Sequence, residues 1–121
     1  MIKGLRTAIY AVSDMEKGKS WYSQVLGKAP YFDEPFYVGF AIGGFELGLI
    51  PDGAPSADGV HVFWGVPDAD AELRRLTGLG AAIHAPVKDV GGGIKLASVV
   101  DPFGNVFGII ENPDFNPASV E

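Results

Sequence analysis

A pattern that occurs twice constrains a chain more than any single motif does, because each copy must fold into the same supersecondary unit. Residues 5–27 run Leu-Arg-Thr-Ala-Ile-Tyr-Ala-Val-Ser-Asp into a helical stretch through Trp21, Tyr22, Val25 and Leu26 that stops at Gly27. Residues 59–80 run Gly-Val-His-Val-Phe-Trp-Gly-Val-Pro-Asp into a second such stretch through Leu73, Leu76 and Leu79 that stops at Gly80. Superposing Val12 on Val66 sets an offset of 54 residues, which also places Thr7 on His61 and Asp14 on Asp68. Each half therefore opens strand, turn, helix.

The helix ends have physical causes. Ser13 and Glu16 have the spacing of a capping box, in which each side chain satisfies a free backbone N–H. Pro67 and Asp68 supply the preset φ and the acceptor of a second first turn. Gly27 and Gly80 stand where a left-handed residue commonly closes a helix. Phe36 to Ile50, broken at Gly43-Gly44, reads as a strand hairpin. So does Ile94 to Val100 followed by Asp101-Pro102-Phe103-Gly104-Asn105 and Val106 to Ile110. The expected class is α+β, with two tandem βαβββ modules at about 4–52 and 59–112 in one domain of residues 1–121. Residues 51–59 connect them, and 113–121 form a C-terminal tail expected to fray.

Composition removes several functions. The chain has 121 residues with 47% hydrophobic and 20% charged, the range of a globular domain. A net charge of −6 and the absence of any Lys/Arg stripe exclude a nucleic-acid partner. With no cysteine, disulfides and thiolates are out, and a metal would have to rely on His, Asp, Glu or weaker oxygen donors. The first residues carry Lys3, Arg6 and Asp14 into the apolar stretch, unlike a signal peptide, and no stretch approaches the roughly 20 apolar residues of a membrane span. A cytoplasmic location with no membrane partner is the expectation.

Val12-Ser13-Asp14 with Trp21-Tyr22-Ser23-Gln24-Val25-Leu26-Gly27, and then Asp101-Pro102-Phe103-Gly104-Asn105, resemble the vicinal oxygen chelate superfamily over residues 4–112. That group takes in glyoxalases, extradiol dioxygenases, epoxide-opening fosfomycin resistance enzymes and the bleomycin-type proteins that sequester a drug without chemistry. The resemblance implies a mixed sheet curved into a cup, with the helices on the convex side, and a homodimer. It further implies four metal-binding positions, which motif matching puts at Thr7, Glu46, His61 and Gly108. A neutral hydroxyl and a glycine leave only two of them ligand-like, and a firm divalent site usually has three. No cofactor is therefore expected, with a divalent metal at low occupancy at most and His61 and Glu46 as the residual candidates.

Strand alternation assigns the faces. Thr7, Ile9 and Ala11 share the cup side, with Glu46, Gly48 and Ile50, with His61, Phe63 and Gly65, and with Val106, Gly108 and Ile110. The ligand-binding set is thus Thr7, Ile9, Glu46, His61, Phe63 and Ile110, an apolar wall around one carboxylate and one imidazole. For Glu46 the plain alternative is a solvated strand residue, and for His61 a hydrogen-bonded interior histidine. Trp64, Trp21 and Tyr22 read as packing, and His84 as a surface residue outside any matching position. Gly91-Gly92-Gly93 lacks the strand-before, helix-after context of a phosphate loop and is expected to form a flap.

The leading expectation is a protein that binds a small, partly apolar organic molecule. The competing one is a glyoxalase-like lyase or isomerase, or a dioxygenase relative, with Glu46 or His61 as a general base or beside a divalent metal. A dimerisation module with a vestigial cup is a third.

Overall fold

The computed structural model describes residues 5–55 and 61–113, which fall into two compact units, one for each of these ranges. The first carries β1 (Thr7–Ala11), α1 (Met15–Leu26), β2 (Phe32–Glu34), β3 (Tyr37–Ile42) and β4 (Phe45–Ile50). The second carries β5 (Phe63–Gly65), α2 (Ala69–Gly78), β6 (Ala82–Asp89), β7 (Lys95–Val100) and β8 (Val106–Glu111). Each is a βαβββ module with a four-stranded mixed sheet, in the orders β1-β4-β3-β2 and β5-β8-β7-β6. The α+β class and the tandem repeat follow directly. The expected tail at 114–121 and part of the expected connection, 56–60, lie outside the described residues.

In the first unit, alternation along β1 turns Ala8 and Tyr10 inward, while Thr7 and Ile9 stay exposed. Val38, Phe40, Leu47 and Leu49 supply the rest of that buried layer, and α1 covers it with Trp21, Tyr22 and Val25. Each such side chain contributes about 1.5–3 kcal/mol by leaving water. Tyr10 stacks on Tyr22 at 5.9 Å, and Trp21 meets Tyr22 edge-on at 4.8 Å, so the helix aromatics are packing as read. Gly18 is the one helix position where a side chain would press on Val12, its Cβ falling 3.0 Å from Val12 Cγ2.

The α1 cap differs from the capping box. Asp14, not Ser13, is the N-cap, its side chain accepting from the Lys17 N–H at 3.1 Å. Asp68 caps α2 in the same way, accepting from Ala71 N–H at 3.1 Å. The repeat offset thus runs through the caps themselves: a carboxylate reaches the N3 amide in both halves, and Glu16 is left free to pair with Lys19. Gly27 closes α1 in the left-handed region at φ 69°. The second helix ends at Gly78, two residues before Gly80, whose φ of 101° turns the chain into β6.

The hairpins answer to their turn residues. Gly43 and Gly44, with φ of 56° and 87°, make a two-residue turn of the kind only glycine accepts readily, and β3 starts at Tyr37 rather than Phe36. Between β7 and β8 the buried Asp101 carboxylate accepts from the N–H groups of Phe103 (2.9 Å) and Asn105 (2.8 Å) and from Asn105 Nδ2 (2.9 Å). Gly91-Gly92-Gly93 is the turn joining β6 to β7, closed by Val90 N–H to the Ile94 carbonyl at 2.9 Å. Both parallel pairs end alike, Val12 N–H donating to Ile50 and Val66 N–H to Ile110, each at 2.9 Å.

Candidate functional site

In the first unit the sheet face away from α1 is built on a gap. Gly39 of β3 and Gly48 of β4 are direct register partners, so two neighbouring strands present no side chain there. Aromatic rings fill it. A Cβ on Gly48 would fall 2.6 Å from Tyr37 Cζ, and one on Gly39 would fall 3.2 Å from Tyr31 Cε1 and 3.3 Å from Tyr37 Cε2. Tyr31 and Tyr37 therefore occupy the space that side chains on this two-glycine floor would take, a device that lets rings cover backbone without crowding.

Glu46 stands at the edge of this floor. It is the register partner of Thr7 in β1 and of Ala41 in β3. Three hydroxyls converge on its carboxylate: Thr7 Oγ1 donates to Oε1 at 2.9 Å, Tyr37 Oη to Oε1 at 2.5 Å, and Tyr31 Oη to Oε2. Those bonds, Tyr31's first and then Tyr37's, hold the Glu46 carboxyl below its ordinary 4.5, because a carboxylate that accepts donors keeps its charge more readily. The tyrosines move the other way: Tyr31 is raised above 10 mainly by its bond to Glu46, and Tyr37 by burial and then by its own bond to Glu46. Among the described residues no Lys, Arg or His pairs with Glu46; its partners are the three neutral hydroxyls. Ile9, beside Gly48 in register, is 52% exposed on the same face.

Of the expected set, the first unit thus joins Thr7 to Glu46 and sets Ile9 next to them. Tyr31 and Tyr37 were missed, since nothing in their spacing says that two ring hydroxyls will fold back on one carboxylate. The paired glycines opposite each other across the Gly43-Gly44 turn were the available signal.

In the second unit Phe63 is the register partner of Gly108, and Ile110 of Gly65. Gly108 has no room for a ligand side chain: a Cβ there would lie 2.7 Å from Phe63 Cδ1 and 2.5 Å from the Val62 carbonyl oxygen. Trp64 stacks on the buried Phe107 at 6.4 Å, although it is itself only half-buried rather than part of the core. His84 is exposed, as expected of a surface residue, and it also has neighbours the sequence did not indicate. Its ring meets His61 edge-on at 5.9 Å, and its Nδ1 lies 2.9 Å from Ser98 Oγ. Irregular pairing of β6 with β7 around Ala85 places it there, and a bulge of this kind is invisible to simple alternation.

The model of the Glyoxalase/Bleomycin resistance protein/Dioxygenase superfamily matches residues 4–109. The chain belongs to that superfamily. Solved structures agree on the fold. A glyoxalase-related enzyme from Fulvimarina pelagi is 20% identical with a TM-score of 0.75, covering 93% of this chain and 90% of that one. Lactoylglutathione lyase from Agrobacterium tumefaciens is 19% identical, with a TM-score of 0.74 over 94% of this chain and 98% of that one. A genomically encoded fosfomycin resistance protein from Listeria monocytogenes is 17% identical, with a TM-score of 0.75 over 94% and 97%. No curated protein matches the chain in sequence.

Superfamily membership sharpens one feature of the repeat. The parallel pairs superpose Ile50 on Ile110 and Gly48 on Gly108, an offset of 60 residues, so the mate of Glu46 in the second unit is Val106. Glu46 and Gly108 are therefore not equivalent positions of the two halves.

Proposed function

We propose that the protein binds a small, partly apolar organic molecule on the aromatic face around Glu46 and performs no metal-dependent chemistry there. The observation that carries the reading is the Glu46 carboxylate, an ionised group held by three hydroxyls on a face of exposed rings and aliphatics. A few fixed polar groups within apolar surroundings are the composition of a small-molecule site.

The residues at the superfamily's metal positions do not fit a divalent ion. The Thr7 hydroxyl donates its hydrogen bond to Glu46, two of the four or so lone-pair directions of that carboxylate are filled on Oε1 alone, and Gly108 is backed by Phe63. The lyase or isomerase alternative meets a second obstacle. An effective general base titrates near the working pH, and the hydroxyls push Glu46 the wrong way. His61 of the second unit, in ring contact with His84, is the base that reading would retain. A homodimer in the cytoplasm completes the proposal; the exposed Leu5 and Ile83 are apolar surface that a partner copy would cover.

The test is a thermal-shift screen of a metabolite and antibiotic library, followed by Glu46→Gln on whichever compound stabilises the protein. Loss of that stabilisation is expected in a variant that still folds, with only a modest fall in apo stability. Elemental analysis after dialysis is expected to find well under one equivalent of zinc, nickel, cobalt, manganese or iron per chain. Near-stoichiometric metal that disappears in His61→Ala, or robust turnover of the methylglyoxal–glutathione adduct, would replace binding with the enzyme reading.

A further inference from the structure

We infer that the ligand taken at Glu46 is an organic cation, a protonated amine on an apolar body; the inference rests on the binding role proposed above and names its chemistry. Three structural facts converge on it. The carboxylate is ionised and its charge is answered by no cation among the described residues. Arg6, just before β1, turns its guanidinium to the Leu5 carbonyl at 3.3 Å. Hydroxyl donors hold the charge in place without cancelling it, which leaves a net attraction for a positive group.

The second fact is acceptor capacity. Oε1 takes both Thr7 and Tyr37, whereas Oε2 takes Tyr31 alone, so one lone pair of Oε2 is left for a donor arriving from the open face. The tyrosine hydroxyls spend their donor hydrogens in bonds to Glu46, so the cluster offers an incoming group acceptors. A ligand carboxylate or phosphate would meet a like charge and no donor already free, and an ammonium N–H meets what it requires.

The third fact is the surrounding surface. Tyr31 is 63%, Phe32 39% and Phe36 66% exposed, unusual for rings in a protein with a formed core. Phe32 is 6.1 Å from both Phe36 and Tyr37, in edge-on pairs, and Tyr37 and Tyr31 flank Gly39 beside Oε2. Rings of this kind attract a cation through their quadrupoles and cover the carbon body attached to it. Another shallow depression, between α1 and the β2–β3 edge, does not compete, because its Lys19 is already paired with Glu16 and Asp33.

The experiment follows the backbone amide and tyrosine ring resonances of the intact chain by NMR. The titrants are three isosteric probes at neutral pH: 2-phenylethylamine, 2-phenylethanol and 3-phenylpropionate. The amine is expected to shift the resonances of Tyr31, Tyr37 and Glu46 and to bind about ten-fold more tightly than the alcohol, with the acid weaker still. Raising the salt concentration should weaken the amine and not the alcohol. Glu46→Gln, which keeps an acceptor for the hydroxyls and removes the charge, should bring amine and alcohol to equal affinity. Tyr31→Phe serves as a second variant should Glu46→Gln disturb the spectrum: it keeps the ring and frees a further acceptor position on Oε2, so the amine's preference over the alcohol is expected to persist or grow, and its loss would count against the cation. Equal or better binding of the alcohol or the acid at the same resonances would refute the cation while leaving the small-molecule role standing. Shifts confined to the second unit, or no shift with any probe at millimolar concentration, would refute both.

Discussion

Gly48→Ala perturbs the site through its floor. The new methyl group would fall 2.6 Å from Tyr37 Cζ and 3.0 Å from Cε1, well inside contact distance, and its strand is central, so the backbone cannot retreat. The ring must lift. Overpacking of this kind costs about 1–3 kcal/mol. Lifting the ring also separates Tyr37 Oη from Glu46, a bond to a charged group worth about 1.5–3 kcal/mol when buried and less at this partly open face. Against these stands the backbone gain of replacing a strand glycine, about 0.5–1 kcal/mol. The net expectation is a loss of about 1–2 kcal/mol, or a fall in melting temperature of roughly 4–8 °C for a chain of this size. In a Tyr37→Ala background the obstruction is gone, and Gly48→Ala should be neutral or stabilising by about 0.5 kcal/mol. Urea denaturation of the four proteins closes the cycle. A Gly48→Ala cost that is the same in both backgrounds would refute the argument, since the ring would then have no part in it.

Linkage gives the Glu46 cluster a pH signature. Because its folded carboxyl lies below the ordinary 4.5, Glu46 contributes stability that is present above that value and lost as pH falls through the lowered one. Tyr31 and Tyr37, raised above 10, contribute stability that is lost as pH rises through their raised values, and Glu46→Gln should blunt both limbs in a stability–pH profile. Asp101→Ala removes a buried acceptor from two backbone N–H groups and an amide, and urea titration should show a loss of about 2–3 kcal/mol with no change in ligand binding. Light scattering coupled to size exclusion is expected to give the mass of a dimer at micromolar concentration, and a monomer mass would remove that part of the proposal.

The fold was legible because its causes are local and doubled. Period-two alternation in β1 sorted Ala8 and Tyr10 from Thr7 and Ile9, and the structure buries the same pair. Asp14 and Asp68, matched by the offset, proved to be the two caps, although the Ser13–Glu16 spacing pointed one residue early. The site was legible only in its anchor. Glu46 stood out as a lone carboxylate among inward-facing apolar neighbours, but its partners come from Tyr31, just before β2, and Tyr37 of β3, so their meeting depends on pairing register and ring rotamer. His84 was set aside for a related reason: register shifts in β6 decide which way it points. Long-range side-chain convergence is written in the register of several strands at once and in no one segment.

The proposed role makes Glu46 the point where this chain meets its ligand. The most direct measurement is a crystal structure of the protein with the first compound that stabilises it, soaked or co-crystallised at saturating concentration. The expected density lies against Tyr31, Tyr37 and Phe32, with a ligand N–H within hydrogen-bond distance of Glu46 Oε2 and the three hydroxyl bonds intact. A ligand seated on His61 and His84 with the Glu46 face empty would contradict it.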